Sequence, residues 1–470
     1  MIKDFAATVI KKHLKHSPTP SQDYAIGLLS EFITNPNRDD IFILSGYAGT
    51  GKTTLLSAVI NTLSEFKLQS VLLAPTGRAA KVLSKYSGKD AFTIHKKIYR
   101  QKSSVSEQFV LDVNLHTNTI FIVDEASMIS DGQTDSSIFG TGNLLDDLIT
   151  YVYNNKGCGL ILTGDTAQLP PIGLDTSPAL DPLYVERRFL RNIIGTSLTD
   201  VVRQTKMSGI LFNATEIRNL VSIGFPGTPK FKIEPFSDIS KIENADLLEK
   251  ISSCYDRHGI DETIIITRSN KRANKFNEGI RRTILYKEEE ISSGDYIMVV
   301  KNNYYDLEKV EELAFIANGD TAQIMRIKKY YNMYGLKFAD VTLRFPDYKD
   351  LELDRRIILN TLTSETASMS GEEYKKLVNL VLEDYPNART KKDRVKIFRE
   401  DPFLNALQVK FAYCITCHKA QGGQWENVFI DHDYLPNTVL EIDNLRWFYT
   451  AVTRASKQLY LSNFKQEFFD

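Results

Sequence analysis

Residues 46–53 read Gly-Tyr-Ala-Gly-Thr-Gly-Lys-Thr, and this stretch decides the fold. It has the P-loop pattern, and the apolar run before it, Ile41–Ser45, predicts a buried strand. A helical pattern follows from about Lys52 to Phe66. Glycines let backbone N–H groups face a phosphate, and the start of a helix adds positive potential there. A strand pattern precedes the loop and a helix pattern follows it, as a P-loop requires. The stretch therefore predicts a nucleotide-binding α/β domain, and a chance glycine-rich turn is a negligible alternative.

The side chains of the P-loop have separate predicted roles. Lys52 is expected to reach the β and γ phosphates, and Thr53 is expected to ligate Mg²⁺. ATP and Mg²⁺ are therefore the expected cofactors. The residues expected to bind the nucleotide through this loop are Gly46, Ala48, Gly49, Thr50, Gly51, Lys52, Thr53 and Thr54.

Further apolar runs continue the alternation of strands and helices around the P-loop. Ser70–Ala74, Thr119–Val123 and Leu160–Thr163 are predicted strands, and Ala79–Tyr86 is a predicted helix. This order is typical of an open parallel sheet, in which ligands bind in loops at the strand ends.

Polar side chains that suit phosphoryl chemistry follow two of these strands. Asp124 can hold the Mg²⁺ shell, and Glu125 can polarise an attacking water. A hydrophobic run before two acids is common alone, but downstream of a P-loop it is a strong signal. Gln168, in the stretch Gly164–Pro171, can sense the γ-phosphate. The alternative is a proline-terminated loop whose glutamine is merely exposed.

A second α/β set occupies the C-terminal half of the chain. Its predicted strands are Thr263–Thr267, Leu407–Cys414, Asn427–Asp431 and Gln458–Ser462, and its predicted helices are Asn270–Thr283 and Trp447–Ala455. Between its two parts, residues 290–345 have short β patterns with glycine turns, which suggest a small barrel. Residues 370–400 are a charged helical excursion.

Composition limits the class of protein. The chain has 470 residues with 42% apolar content and a net charge of −1, which suits two to four globular domains. No apolar run approaches the roughly 18 residues of a membrane span, and the N-terminal segment does not resemble a signal peptide. We therefore expect a cytoplasmic protein without membrane contact. The neutral charge argues mildly against a protein that coats DNA passively.

Two of the four cysteines lie in Cys414-Ile415-Thr416-Cys417-His418, which has the spacing of covalent haem attachment. Haem attachment belongs to exported proteins, and a structural zinc site needs a second ligand pair that has no candidate spacing. We therefore expect neither haem nor zinc, and two strand cysteines inside another motif are the favoured interpretation.

Together the motifs resemble the superfamily 1 helicases, and within them the 5′-to-3′ branch that includes RecD and the phage helicase Dda. The resemblance runs from about Thr19 to Ala455, its motifs occur in the family's order, and the stretch Gly164–Pro171 makes it specific. It implies two RecA-like motor domains and an ATP-dependent activity on single-stranded DNA.

The resemblance also implies roles for residues outside the P-loop. Thr19–Gln22 resembles the Q motif, in which Gln22 reads adenine, although the same residues form a capping-box pattern at a helix start. Arg203 and Arg454 correspond to arginine fingers on the γ-phosphate, whereas Arg446 is expected to be solvated. Gln421 and Gly422 correspond to residues near the nucleotide, and a ribose contact by Gln424 is in doubt. The residues implied to contact DNA are Thr76, Gly77, Thr93, His95, Asn270, Thr416 and His418.

The resemblance divides the chain into motor and inserted domains. Residues 1–92 and 120–199 form the first motor domain, with a hairpin at 93–119. Residues 200–289 and 408–470 form the second, with a β-rich and helical insertion at 290–407. The hairpin is expected to act as a wedge at the fork, with Phe109 as the stacking aromatic, although packing against its own core is the commoner role of such a residue.

The sequence therefore favours a monomeric, ATP-dependent DNA helicase that moves 5′ to 3′ on single-stranded DNA and acts at duplex junctions. Two alternatives stay open. One is an RNA helicase of the same superfamily, and the other is a nucleotide-gated binding ATPase that does not unwind. An assembly ATPase of the AAA type is disfavoured because a second motif-bearing domain follows in the same chain.

Overall fold

The computed structural model describes residues 2–14, 16–101, 109–132, 139–201, 208–224, 227–303, 305, 315–387, 390–432 and 441–469. Its strands are β1 Ile41–Gly46, β2 Gln69–Ala74, β3 Ala91–Thr93, β4 Tyr99–Gln101, β5 Phe109–Leu111, β6 Thr119–Val123, β7 Gly159–Gly164, β8 Ile193–Leu198, β9 Ile239–Ile242, β10 Thr263–Thr267, β11 Tyr296–Val299, β12 Thr321–Met333, β13 Leu336–Phe345, β14 Leu351–Ile358, β15 Leu407–Phe411, β16 Cys414–Thr416, β17 Trp425–Asp431 and β18 Ala455–Ser462. Its helices are α1 Ile2–His13, α2 Pro20–Thr34, α3 Lys52–Glu65, α4 Gly77–Ser87, α5 Ile94–Ile98, α6 Leu144–Tyr153, α7 Pro182–Phe189, α8 Gly209–Ile223, α9 Leu247–His258, α10 Asn270–Gly279, α11 Asn360–Thr363, α12 Gly371–Glu383, α13 Lys391–Glu400, α14 Cys417–Ala420 and α15 Ile442–Val452.

The first sheet is parallel throughout, with strand order β3-β2-β6-β7-β1-β8. Every residue of β6 and β7 is buried, as expected for strands covered by helices on both faces. Since parallel strands end at the same edge, the loops after β1, β6 and β7 meet there. This edge carries the P-loop and the predicted acids and glutamine.

The second sheet is also parallel, with strand order β16-β10-β17-β18-β9. Helices α8 and α15 pack on it, and Ile210, Ala214 and Ile217 of α8 share a buried core with α15 and β18. Helix α8, residues 209–223, therefore belongs to the domain that is built on the second sheet. The two parallel sheets confirm the predicted pair of RecA-like domains.

The predicted barrel lies between the two parts of the second sheet. Strands β11 to β15 close into a five-stranded barrel, and helices α12 and α13 correspond to the predicted helical excursion. The predicted single strand Leu407–Cys414 was wrong, because its first part is barrel strand β15 and its last residue begins β16 in the second sheet. The barrel therefore extends to Phe411, past the predicted boundary at 407.

Two of the predicted helices end earlier than the sequence pattern indicated. Helix α15 ends at Val452, and Ala455, predicted as its last residue, begins β18. Helix α10 ends at Gly279 and continues as a π-helical turn, Ile280–Ile284, instead of regular α-helix.

A short joint, Ala412 and Tyr413, connects the barrel to the second sheet. Tyr413 is 1% exposed, and its hydroxyl donates to Asp295 Oδ1 at 2.9 Å. Asn277 Nδ2 donates to the carbonyls of Phe411 and Cys414 on either side of the joint, and Asn277 Oδ1 accepts from Cys414 N at 2.8 Å. The joint is thus held by side chains from both neighbouring elements.

The insertion in the first domain is an antiparallel hairpin of β4 and β5, as predicted. Its predicted tip, residues 102–108, lies outside the described residues. Phe109 is only 6% exposed, and its ring lies 4.9 Å from the ring of Phe139, centroid to centroid. The structure therefore contradicts the wedge role of Phe109, because this ring packs in the core of its own domain. Among the described residues, no helix is long and apolar enough to cross a membrane.

Candidate nucleotide cleft between the two sheets

A cavity of about 710 Å³ lies between the carboxyl edge of the first sheet and the second sheet. Predicted site residues from both halves of the chain line it. The first half contributes Ala48, Gly49, Gly51, Lys52, Thr53, Asp124, Glu125 and Gln168, and the second half contributes Gly422 and Arg454. The structure thus brings together residues that are up to 406 positions apart in the sequence, from Ala48 to Arg454.

The P-loop has the backbone form that its glycines predict. Gly49 and Gly51 both have φ of +76°, in the left-handed region that favours glycine. Lys52 Nζ donates to the carbonyl of Gly46 at 3.4 Å, at the base of the loop. Gly46, Thr50 and Thr54 do not line the cavity, and Thr50 is fully buried behind the loop. Thr50 therefore supports the loop from behind, where its hydroxyl donates to Tyr47 O at 2.8 Å.

The acids after β6 lie opposite Lys52. Asp124 is 8% exposed, and its Oδ2 accepts from the Tyr86 hydroxyl at 2.5 Å. Burial raises the pKa of Asp124, the charge of Glu125 raises it further, and Lys52 opposes the shift. Glu125 has φ of +53°, and its buried Oε2 makes no hydrogen bond in the part of the chain that the structure describes. This carboxylate oxygen is thus free to accept a proton.

The cleft fits a magnesium ion bound by few protein ligands. Thr53 and Asp124 both line it, next to Lys52. Mg²⁺ keeps several waters and takes one or two carboxylates together with phosphate oxygens, so two protein ligands are enough. Within the described ranges, no group of three or more His, Cys, Asp or Glu side chains could hold a metal ion.

Asp165, directly after β7, also lines the cleft, although only Gln168 was predicted to act in the stretch Gly164–Pro171 that contains both. It is 2% exposed, and its Oδ1 accepts from Ala167 N at 2.9 Å. Its Oδ2 accepts from the hydroxyl of Tyr449 at 2.6 Å. Burial raises the pKa of Asp165, and Lys52 and Tyr449 oppose the shift. Its position at a strand end beside Gln168 was the available signal.

Gln168 follows Asp165 and also faces the cleft. It is 6% exposed, and its Oε1 has no hydrogen-bond partner among the described residues. Second-sheet residues hold its neighbour Leu169, because Gln421 Nε2 donates to Leu169 O at 2.7 Å and Leu169 N donates to Thr450 Oγ1 at 2.9 Å. Gln421 does not line the cavity and instead positions the loop that carries Gln168.

The two predicted arginine fingers differ in what the structure shows. Arg454 is 3% exposed and lines the cleft. Its guanidinium donates to Thr450 O at 3.0 Å and to Gly423 O at 3.1 Å. Arg203 lies outside the described residues. Arg446 is not solvated as predicted, since its side chain is 17% exposed and donates to Asp175 O beside a smaller cavity that includes Gln168.

Gln22, predicted to read adenine, lies in the first turn of α2. It is fully buried, and with Thr19 it forms the capping box of α2. Its Oε1 accepts from Thr19 N at 3.1 Å, and its Nε2 donates to Thr50 O at 2.9 Å. Both polar atoms of Gln22 thus have partners within the first domain, and the adenine contact stays a prediction. Gln22 braces the P-loop from behind.

The predicted strand-contacting residues of the first domain have structural roles at helix starts. Thr76 caps α4 by accepting from Ala79 N, and Thr93 caps α5 by accepting from Lys96 N. A Cβ at Gly77 would lie 2.6 Å from the Tyr348 hydroxyl, so the barrel packs closely here. His95 lies among aromatic rings, with Phe139 at 4.9 Å, and burial lowers its pKa to about 4. His95 is therefore neutral at physiological pH.

The predicted strand contacts of the second domain meet at one edge. Thr416 of β16 pairs with Thr267 of β10, and Asn270 begins α10 three residues after Thr267. The side chain of His418 reaches solvent, but its ring is partly desolvated, and this desolvation together with the charge of Arg268 lowers its pKa. These residues thus share the carboxyl edge of the second sheet.

The cysteines of the Cys414–His418 stretch are buried in the second domain. Cys414 is 1% exposed and Cys417 is 0% exposed, and both are free thiols. Cys414 Sγ lies 4.0 Å from Thr267 Oγ1, and Cys417 Sγ lies 3.6 Å from Trp447 O. Burial raises the pKa of both thiols, that of Cys417 to about 12.

Comparison with known proteins accounts for both halves of this cleft. Residues 28–219 match the family model of an AAA domain, and residues 411–462 match that of a UvrD-like helicase C-terminal domain. The chain is 25% identical to the ATP-dependent DNA helicase dda of phage T4, over 89% of this chain and 93% of that protein. It is 23% identical to the RecD subunit of the RecBCD enzyme of Buchnera aphidicola, over 92% of this chain and 71% of RecD.

Over most of its length the chain is thus similar to superfamily 1 helicases of the RecD and Dda type. The chain spans 38% of the length of an uncharacterised relative from Methanocaldococcus jannaschii, to which it is 24% identical. Among solved structures, a Pif1 helicase from Bacteroides in complex with ADP-AlF3 and ssDNA covers 97% of this chain with a TM-score of 0.48 and 16% identity, and 95% of that chain is matched.

Proposed function

We propose that the chain is an ATP-dependent DNA helicase that moves 5′ to 3′ along single-stranded DNA and unwinds the duplex ahead of it. The observation that carries this proposal is the cleft, which Lys52 and Glu125 line from one sheet and Arg454 lines from the other. A site built from two bodies is complete only when they close on each other, so hydrolysis is linked to their relative movement.

The residues of the cleft divide the work of hydrolysis between them. The P-loop amides and Lys52 bind the phosphates, while Thr53 and Asp124 hold Mg²⁺, which neutralises phosphate charge when bound. Glu125 orients the attacking water and accepts its proton through the unpaired Oε2. Gln168 senses the γ-phosphate, and the guanidinium of Arg454, together with Arg203, stabilises charge on the transferred phosphoryl group.

Single-stranded DNA is proposed to lie across the carboxyl edges of both sheets. Thr416 and Asn270 are near that edge in the second sheet, and Thr76 and Thr93 follow strands β2 and β3 in the first. Gly422 lies at the meeting point, because a Cβ on it would lie 3.3 Å from Thr76 Oγ1. Closing the cleft therefore changes the separation of the two groups of strand contacts. Contacts to phosphates, with some base stacking, give little sequence preference.

Unwinding of tailed duplexes tests activity and polarity together. The substrates are one DNA duplex with a 5′ tail, the same duplex with a 3′ tail, and a blunt control, each with ATP or a nonhydrolysable analogue. We expect strand separation only with ATP and the 5′ tail, and no separation by the Glu125→Gln variant. Unwinding from the 3′ tail would overturn the polarity. ATPase activity without unwinding of any DNA substrate would favour a nucleotide-gated binding protein, and stimulation by RNA alone would favour an RNA helicase.

A further inference from the structure

Tyr449 reaches from the second domain into the P-loop of the first. It lies on α15, is 1% exposed, and presents its hydroxyl to two groups of the first domain. The hydroxyl oxygen accepts from Ala48 N at 2.8 Å, and the O–H donates to Asp165 Oδ2 at 2.6 Å. One hydroxyl therefore joins the P-loop to the end of β7, in a place from which water is excluded.

Helix α8 of the second domain packs against the P-loop on both sides of this contact. Arg218 of α8 lies over the ring of Tyr47 at 4.4 Å, and a Cβ at Gly49 would lie 3.1 Å from Leu211 of the same helix. The packing contacts at Tyr47 and Gly49 thus flank the hydrogen bond at Ala48. Tyr449 differs from these neighbours because it also contacts the carboxylate beside Gln168.

A short path of contacts leads from Tyr449 to the proposed strand-binding edge. Helix α14 carries His418 and begins directly after Thr416, and Cys417 Sγ on this helix contacts Trp447 O, in the turn of α15 that precedes Tyr449. Buried contacts thus connect α14 with α15, which gives a strand bound at this edge a route to Tyr449. From α15, the Tyr449 hydroxyl is the polar contact to both the P-loop and Asp165.

We propose that Tyr449 is a positioning residue that couples strand binding to nucleotide turnover, by tying the P-loop amide of Ala48 to the carboxylate of Asp165. This inference rests on the proposed helicase function. Coupling means that each ligand changes the binding free energy of the other by the same amount. A residue that carries the coupling therefore affects both of these changes. Removing the hydroxyl is expected to weaken that mutual influence.

Tyr449→Phe tests the inference, because it removes the hydroxyl and keeps the ring packing. The first measurement is the stimulation factor, which is the ratio of ATPase kcat with saturating single-stranded DNA to kcat without DNA. We expect this factor to fall about tenfold, within the usual range of coupling between sites. The second measurement is the ratio of the Kd values for single-stranded DNA with and without a nonhydrolysable ATP analogue, and this ratio should move toward one.

Tyr255→Phe is the matched control in the same domain. Tyr255 is buried, but its hydroxyl has no hydrogen-bond partner in the described part of the chain, so this variant should keep both wild-type ratios. If Tyr449→Phe keeps both ratios, or lowers kcat equally with and without DNA, the inference is wrong and Tyr449 is only structural. A wild-type chain without DNA stimulation would instead overturn the proposed function and this inference with it.

Discussion

Glu125 combines a left-handed backbone with a carboxylate oxygen that has no partner among the described residues. Because Glu125 is the proposed base, Glu125→Gln should lower kcat about a hundredfold or more while ATP binding persists. Equilibrium binding of a fluorescent ATP analogue and steady-state ATPase assays measure the two effects separately. Glu186→Gln, at an exposed position on α7, is the control. Hydrolysis by Glu125→Gln at the wild-type rate would contradict the assignment.

Arg454 approaches the cleft from the second domain, held by the carbonyls of Thr450 and Gly423. Arg454→Ala should lower kcat by roughly a thousandfold, with a much smaller change in KM, because the contact strengthens in the transition state. Arg454→Lys should stay slow, since an ammonium lacks the planar fork. Exposed Arg282→Ala is the control for loss of charge. A raised KM at unchanged kcat would make Arg454 a ground-state ligand.

At the scale of single residues, the sequence predicted the parts of the site that are determined within one short stretch. Lys52, Glu125 and Gln168 each lie in such a stretch, and each lines the cleft. Tyr449 and Asp165 were missed as a pair because 284 positions separate them, and no local pattern indicates their contact.

Helix α2 and the P-loop are joined through Gln22, which caps the helix and donates to Thr50 O. Gln22→Ala should destabilise the fold by about 1–2 kcal/mol and raise the KM for ATP and GTP alike, because the P-loop loses its brace. Thermal unfolding and steady-state kinetics with both nucleotides measure this. Exposed Gln69→Ala should change neither. A selective loss of ATP over GTP would instead support the adenine-reading interpretation.

Strand β16 and helix α14 bury Cys414 and Cys417, and burial raises the pKa of both thiols. Because the thiolate is the reactive form, the native protein should react slowly with a thiol reagent at pH 8 and rapidly once unfolded. The labelling rate of the native protein should keep rising with pH beyond the range in which the labelling rate of an exposed cysteine levels off. Lys457→Cys, at an exposed position on β18, should react at once. Fast labelling of native Cys417 would contradict the raised pKa.

At the scale of elements, the sequence predicted strand cores well and their partners poorly. The run Leu407–Cys414 is apolar throughout, so periodicity could not show that β15 joins the barrel and β16 joins the sheet. Phe109 illustrates the same limit. An aromatic residue in a predicted strand can stack on a base pair at a DNA fork or pack in the core of its own domain, and the local sequence is the same for both. Its contact with Phe139, 30 residues later, decides for the core.

The barrel packs on the first domain where Asp320 and Tyr348 meet Gly77. Asp320 is 2% exposed, and burial raises its pKa to about 7, with Asp347 adding to the shift and the Tyr348 hydroxyl opposing it. The unfolded value is about 3.9, so the folded state binds more protons between these two values. Stability should therefore fall as pH rises from about 4 to about 7, relative to the Asp320→Asn variant.

Denaturant unfolding of both proteins across this pH range measures the difference in the free energy of unfolding. Each pKa unit by which folding shifts the Asp320 carboxyl is expected to contribute roughly 1.4 kcal/mol to that difference. Asp350→Asn, at an exposed position directly before β14, is the control and should follow the wild type. Parallel pH profiles for the wild type and Asp320→Asn would show that Asp320 is ionised normally.

The joint of Ala412 and Tyr413 has a mechanical consequence for the whole molecule. Its backbone is fixed by Asn277 on both sides and by Asp295, so the barrel has little elastic freedom relative to the second sheet. Strand β12 has 13 residues, a length of roughly 40 Å. If the second sheet turns by about 10°, the barrel turns with it, and the far end of this strand moves through roughly 7 Å. The barrel therefore acts as a lever, which converts a small rotation of the second sheet into a displacement of several ångströms at the far end of the barrel.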